Sequence, residues 1–163
     1  PSIVAFWRLI ERQAIETKLD GYCLQPNEAY TFAMKGENLL LFLPSGRYLT
    51  YISPVIGKGK YDKKISHRRV NSMTNQWQRR DTYGGMLTEN LVQAVARDLL
   101  AEAMLRVAKL HPIVLHVHDE LVIDVKHDFD RQEFEETVKV VPRWAKGLPI
   151  EIDTWYQYRY QKG

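Results

Sequence analysis

In the run LHVHDELVIDV, Leu115–Val125, two carboxylates interrupt an otherwise apolar stretch. Asp119 and Glu120 are adjacent, and His116 and His118 stand just before them. A carboxylate pair held rigidly repels itself unless a positive charge neutralises it. Oxygen-rich acidic sites suit magnesium, which takes one or two carboxylates together with phosphate oxygens. Two such ions are the recurring apparatus of phosphoryl transfer. The plain alternative is a hairpin tip, since Asp is a common turn residue. The two histidines, two residues apart, are expected on one face of the first strand. That placement would also allow zinc, but zinc needs a third or fourth ligand, and His67, His111 and His127 have no motif around them.

A second feature complements the first. Between Gly57 and Arg80 lie Lys58, Lys60, Lys63, Lys64, Arg68, Arg69, Arg79 and Arg80, opposed by Asp62 alone. That segment carries +7 in a chain whose net charge is +3, so the remainder carries −4. Basic charge gathered in a Gly-, Ser- and Asn-containing stretch points to a polyanion, or else to a solvated loop. Trp77 is its one large apolar anchor and is expected to plug a core. Together, the acidic pair and the basic stretch suggest metal-dependent work on a phosphodiester.

These residues need elements to hold them. Apolar residues at 3, 6, 7, 10, 14 and 15 predict a helix over 3–19, stopped at Gly21. NLLLFLPSGRYLTYISP predicts a hairpin joined at PSG, with Pro54 closing its second strand. The longest helix is predicted from Leu87 to about residue 110, with Thr88 as N-cap after Gly84 and Gly85. Its 91/95/99 row is expected to pack across the sheet that carries the acidic pair. Strands 113–118 and 120–125 should form an antiparallel hairpin, apolar on both faces and held in a larger sheet, with Asp119 and Glu120 at the tip. A helix around 130–140, a strand at LPIEID, and tyrosines 156, 158 and 160 alternating as on an edge strand complete an α+β fold.

At this level of detail the chain resembles a known family. HVHDELVIDV is similar to motif C of family A DNA polymerases, the DNA polymerase I group, and YGGMLTENLVQAVARDLLAEAML to the palm helix before it in phage-type members. PSIVAFWRLIERQAI resembles the segment after the nucleotide-binding fingers helix, LPSGRYLTY the Gly-Arg hairpin, and WAKGLPIEIDTWYQYRYQK the C-terminal ending. The five stretches occur in order and cover essentially the whole chain. The resemblance implies an antiparallel palm-type sheet in which residues 1–20 follow the fingers, 39–80 form the hairpin and basic segment, and 86–163 form the palm helix, motif C and tail.

It also implies roles. Asp119 matches the aspartate that binds the catalytic magnesium ions, Glu120 its less strict neighbour, and His118 a histidine near the primer end. Gln93 matches a glutamine that touches the minor groove of the new duplex. Arg47 matches the hairpin arginine and joins Lys58, Lys60, Arg68, Arg69, Arg79 and Arg80 as DNA contacts. Asp98 matches a helix aspartate, expected as a buried cap or ion pair. His116 departs from the glutamine common in bacterial members.

Two family elements have no counterpart in the sequence. No stretch of the motif A type, DYSQIE, is present, nor is the motif B fingers helix, which would end just before Pro1. The implied partners are therefore a DNA primer-template, deoxynucleoside triphosphates in the complete enzyme, and a second polypeptide carrying motifs A and B. The implied chain is inactive alone. The competing class is a non-catalytic nucleic-acid-binding module with a vestigial acidic pair.

Composition narrows the rest. With 163 residues, 45% hydrophobic and 26% charged, the chain is expected to be one soluble domain. No apolar run approaches a membrane span. The charged N-terminal stretch is unlike a signal peptide. A single cysteine, Cys23, fits a reducing, cytoplasmic setting.

Overall fold

The computed structural model describes residues 2–22, 29–58 and 63–160. Cys23 and Lys60 lie outside the described residues. Where length predicts one domain, the chain divides into two compact units, Pro1–Val95 and Ala96–Gly163.

The first unit is built on a five-stranded antiparallel sheet. Helix α1, Ile3–Asp20, begins at Ser2, whose Oγ accepts from the Ala5 N–H, and ends at Gly21 in the left-handed region (φ 84°). The sheet runs in sequence order through β1 (Thr31–Lys35), β2 (Asn38–Phe42), β3 (Tyr48–Lys58), β4 (Lys63–Val70) and β5 (Trp77–Thr82). The expected hairpin is β2–β3, paired Leu39↔Tyr51 to Phe42↔Tyr48.

Pro54 does not end β3, contrary to expectation. The strand bulges between Ile52 and Val55, and Ser53 takes a positive φ of 44°. A bulge removes the ladder bond that proline could not donate, so the strand continues past it. The basic stretch is not a loop either. Most of it forms β4 and β5, paired from Ile65↔Thr82 to Val70↔Trp77.

Helix α2, Gly84–Val107, crosses the unit boundary. Its start lies four residues before the expected N-cap, and Thr88 instead donates its hydroxyl to the Gly84 carbonyl at 2.8 Å. The N–H of Gly84 is satisfied by Glu11 Oε2 of α1 at 3.1 Å, a carboxylate where a helix N-terminus favours negative charge. Glycine is required at that position, because a Cβ there would fall 1.9 Å from the Trp7 carbonyl oxygen. Leu87, Leu91 and Ala94 are buried with Ile10, Ala14, Phe32, Leu39, Leu41, Tyr51 and Ile65, and Val95 packs against them. Within the first unit, Leu91 and Val95 of the expected 91/95/99 row thus pack on the five-stranded sheet. Tyr30 supports this core by donating to Gln13 Oε1.

In the second unit, β6 (Ile113–Val117) and β7 (Glu120–Ile123) form a two-stranded antiparallel sheet. Helix α3, Arg131–Lys139, starts at Asp130, whose carboxylate accepts from the N–H groups of Gln132 and Glu133. Its final carbonyls are collected by Arg106 of α2, which donates to Thr137 O, Val138 O and Val140 O. Trp144 donates its indole N–H to Glu102 at 2.6 Å. LPIEID and the terminal tyrosines are not strands among the described residues. Asp98 is buried, as expected.

Candidate functional site

The acidic hairpin differs from expectation at its tip. The two-residue turn is His118–Asp119, and Glu120 is the first residue of β7, opposite Val117. His118 carries a positive φ of 51°. Histidine is among the few non-glycine residues enriched there. His116 lies on β6 opposite Leu121, whereas His118 belongs to the turn. The two histidines therefore do not share a strand face, which removes the geometric basis of a zinc site. Nor is the hairpin buried on both faces: Val114 is 60% exposed and Leu115 40%.

The two carboxylates have different surroundings. Asp119 is exposed and has no hydrogen-bond or ion-pair partner among the described residues. Glu120 Oε2 accepts from the Tyr160 hydroxyl at 2.7 Å. That bond is the leading cause of a raised Tyr160 pKa, because the phenol proton is held by the carboxylate. Among the described residues no three His, Cys, Asp or Glu side chains come together as a metal site. A hard cation such as magnesium needs only one or two protein carboxylates beside water and phosphate oxygens. The donor set therefore fits part of a magnesium site, with Asp119 free to bind and Glu120 tethered to the tail.

The basic residues fall in the first unit. Side chains alternate across a sheet, and directly paired residues share a face. Ile52↔Arg68 and Arg68↔Arg79 put both arginines on one face, with Ser66, Asp81, Val70 and Trp77. His67↔Arg80 and Arg69↔Gln78 lie on the other, the face that carries Ile65 and Tyr51 into the core. The four arginines are thus divided two and two. Among the described residues none of them forms an ion pair, whereas Lys64 is paired with Asp81 at 2.7 Å. Lys58 closes β3 opposite Lys63.

Trp77 is not the expected core plug. It is 54% exposed, with the Arg68 guanidinium over its ring at 5.6 Å. His67 packs edge-on against Tyr51. Burial, then Arg69 and Arg79, hold its pKa below the ordinary value.

Helix α2 lies against the core-side face, where Asn90 Nδ2 donates to the Tyr51 hydroxyl at 3.2 Å. Gln93, three residues on, is exposed and is a helix-surface neighbour of Asn90. Arg47 donates from Nη2 to the Ala94 carbonyl at 3.2 Å. That bond ties the β2–β3 hairpin to α2, a structural role its sequence position did not reveal. Sequence reading also missed Asn90, Tyr51 and Tyr160; their partners lie 39 and 40 residues away, and no local pattern marks them.

No protein-family model matches the chain, and no solved structure matches it. Over 98% of its length it is 35% identical to a curated protein named DNA polymerase from Bacillus phage SP02. The chain spans about a quarter of that relative, 25% of its length. In sequence, then, this chain is similar along nearly its whole length to one quarter of a phage DNA polymerase.

Proposed function

We propose that the chain is the C-terminal palm portion of a family A DNA-directed DNA polymerase, with Asp119 in motif C. The observation that carries this reading is its similarity to the phage polymerase along 98% of the chain. The free carboxylate of Asp119, at the tip of an antiparallel hairpin, supports it. The reaction is nucleotidyl transfer, in which the primer 3′ hydroxyl attacks the α-phosphate of a deoxynucleoside triphosphate. Bound magnesium supplies charge stabilisation to the attacking and leaving oxygens.

This chain contributes Asp119 as a ligand, Glu120 as a neighbour whose freedom is set by Tyr160, and His118 in the turn beside Asp119. Asp119 and Glu120 come from one hairpin, so the remaining carboxylates of the clamp come from the motif A and B segments of the polymerase, which lie outside these 163 residues. Gln93 reads the duplex minor groove from α2. Arg69 and Arg80, on the sheet face shared with Tyr51 and His67, hold duplex phosphates.

The test is primer extension with magnesium. The chain alone should be inactive, and a mixture with a fragment carrying motifs A and B should extend the primer. Robust extension by the chain alone refutes the division of the site. A second reading, a non-catalytic DNA-binding module, is favoured by the tethering of Glu120 to Tyr160. It predicts a mixture that binds DNA yet never extends a primer.

A further inference from the structure

The strand pairing leaves one face of β4 and β5 without an assigned task. On it Arg68 and Arg79 stand directly opposite each other. Like charges so placed destabilise a sheet, and among the described residues no acidic side chain pairs with either arginine. The nearby acidic residue, Asp81, is already paired with Lys64 at 2.7 Å. Arg79 is fixed from below, donating Nη1 to the carbonyls of Ser53 at the β3 bulge and of Ser66, at 2.9 and 3.3 Å. Among the described residues its other N–H groups have no partner.

Beside the arginines Trp77 exposes 54% of its surface, and its cross-strand partner Val70 42%. The turn behind them is ordered by its own bonds. Asn71 donates from its backbone and accepts with its side chain from Met73 and Thr74, so the platform is presented rigidly.

An exposed indole beside two guanidinium groups, Arg68 lying over its ring from the opposite strand and Arg79 two residues along its own, has the chemistry of a base-stacking platform in a cationic groove. Bases within a duplex hide their faces in the stack, whereas a single strand offers them. We propose that the Arg68–Arg79–Trp77 face docks single-stranded DNA, with phosphates on the two arginines and one base on the indole. The proposal rests on the polymerase reading for the identity of the polyanion. It adds that the ribbon is two-sided, with duplex on the Arg69–Arg80 face and single strand on this one.

The experiment is fluorescence anisotropy on the full chain, with labelled oligothymidylate of about twelve nucleotides, within the range of one binding platform, and a duplex of equal length. Trp77→Ala should weaken single-strand binding by roughly 5- to 150-fold, the range for one lost base stack, while duplex affinity stays within about twofold. Arg68→Ala with Arg79→Ala should lower the slope of log K against log salt by about 1.4 for the single strand. Arg69→Ala with Arg80→Ala should leave single-strand affinity within about twofold.

Trp77→Phe guards against misfolding. The parent's tryptophan fluorescence should be quenched by oligothymidylate, and this variant should lose most of that quenching. Equal weakening of single strand and duplex by Trp77→Ala overturns the proposal, as does unchanged quenching in Trp77→Phe. Competition by polyglutamate as effective as that by DNA would do the same, since it indicates an acidic polypeptide partner. Failure of the polymerase reading looks different: the Trp77 effects persist while the reconstituted mixture extends no primer.

Discussion

Gly84→Ala isolates the joint between α1 and α2. The added Cβ would meet the Trp7 carbonyl oxygen at 1.9 Å, and its carbonyl carbon at 2.5 Å. Cβ atoms do not approach backbone closer than about 3.0 Å, so the helices must separate by at least about 1.1 Å locally. Both obstructing atoms are backbone, so no rotamer change relieves the clash. The shift also stretches the 3.1 Å bond from the Gly84 N–H to Glu11. Overpacking costs about 1–3 kcal/mol. A weakened bond to a charged acceptor adds about 1.5–3 kcal/mol. Better helix propensity returns up to about 1 kcal/mol.

The net expectation is about 1.5–6 kcal/mol of destabilisation, or roughly 3–24 °C in Tm for a chain of this size. Gly57→Ala is the matched control, because its Cβ would meet only the Lys64 side chain, at an ordinary 3.7 Å. Calorimetry or circular dichroism melts of both variants decide the matter. A Tm for Gly84→Ala equal to or above that of the parent would refute the close approach.

Three further outcomes are expected. Arg106→Ala removes the donor to three carbonyls at the end of α3 and should cost about 2–4 kcal/mol. The loss should be seen as faster amide exchange across 131–140 with protection of the five-stranded sheet retained. The folded state disfavours protonated His67, so the unfolded state binds that proton first and stability falls as pH drops through about 6.5. In His67→Asn the urea midpoint should therefore change less between pH 7.5 and 5.5, and an unchanged slope would contradict the burial of that ring. Because Glu120 holds the Tyr160 proton, Glu120→Gln should shift one tyrosine of the absorbance titration to lower pH; an unaltered curve argues against the bond.

Periodicity made α1 and α2 legible, because each buries a stripe, and the apolar runs flanking the acidic pair made the β6–β7 hairpin legible. The strands β4 and β5 were hidden for a physical reason. KKISHRRV carries charge on both faces, so the alternation of Ile65, His67 and Arg69 against Ser66 and Arg68 does not register as apolar against polar. Trp77 was read as core because large aromatics usually are buried, yet its neighbours on that face are Val70 and Arg68 across the ladder and Arg79 along its own strand rather than a second layer. LPIEID has a strand-like composition but no strand partner among the described residues. The tip of the acidic hairpin moved by one residue because His118 adopts the left-handed turn conformation, which sequence spacing does not specify. The Glu11–Gly84 bond joins residues 73 apart and leaves no local trace.

The most direct test of the central claim is Asp119→Ala in the mixture of this chain with a fragment carrying motifs A and B. Primer extension with magnesium should be abolished. Duplex affinity, measured on the same mixture, should stay within about twofold, since an exposed carboxylate is no phosphate contact. Extension that survives the substitution would contradict the assignment of Asp119 as a metal ligand.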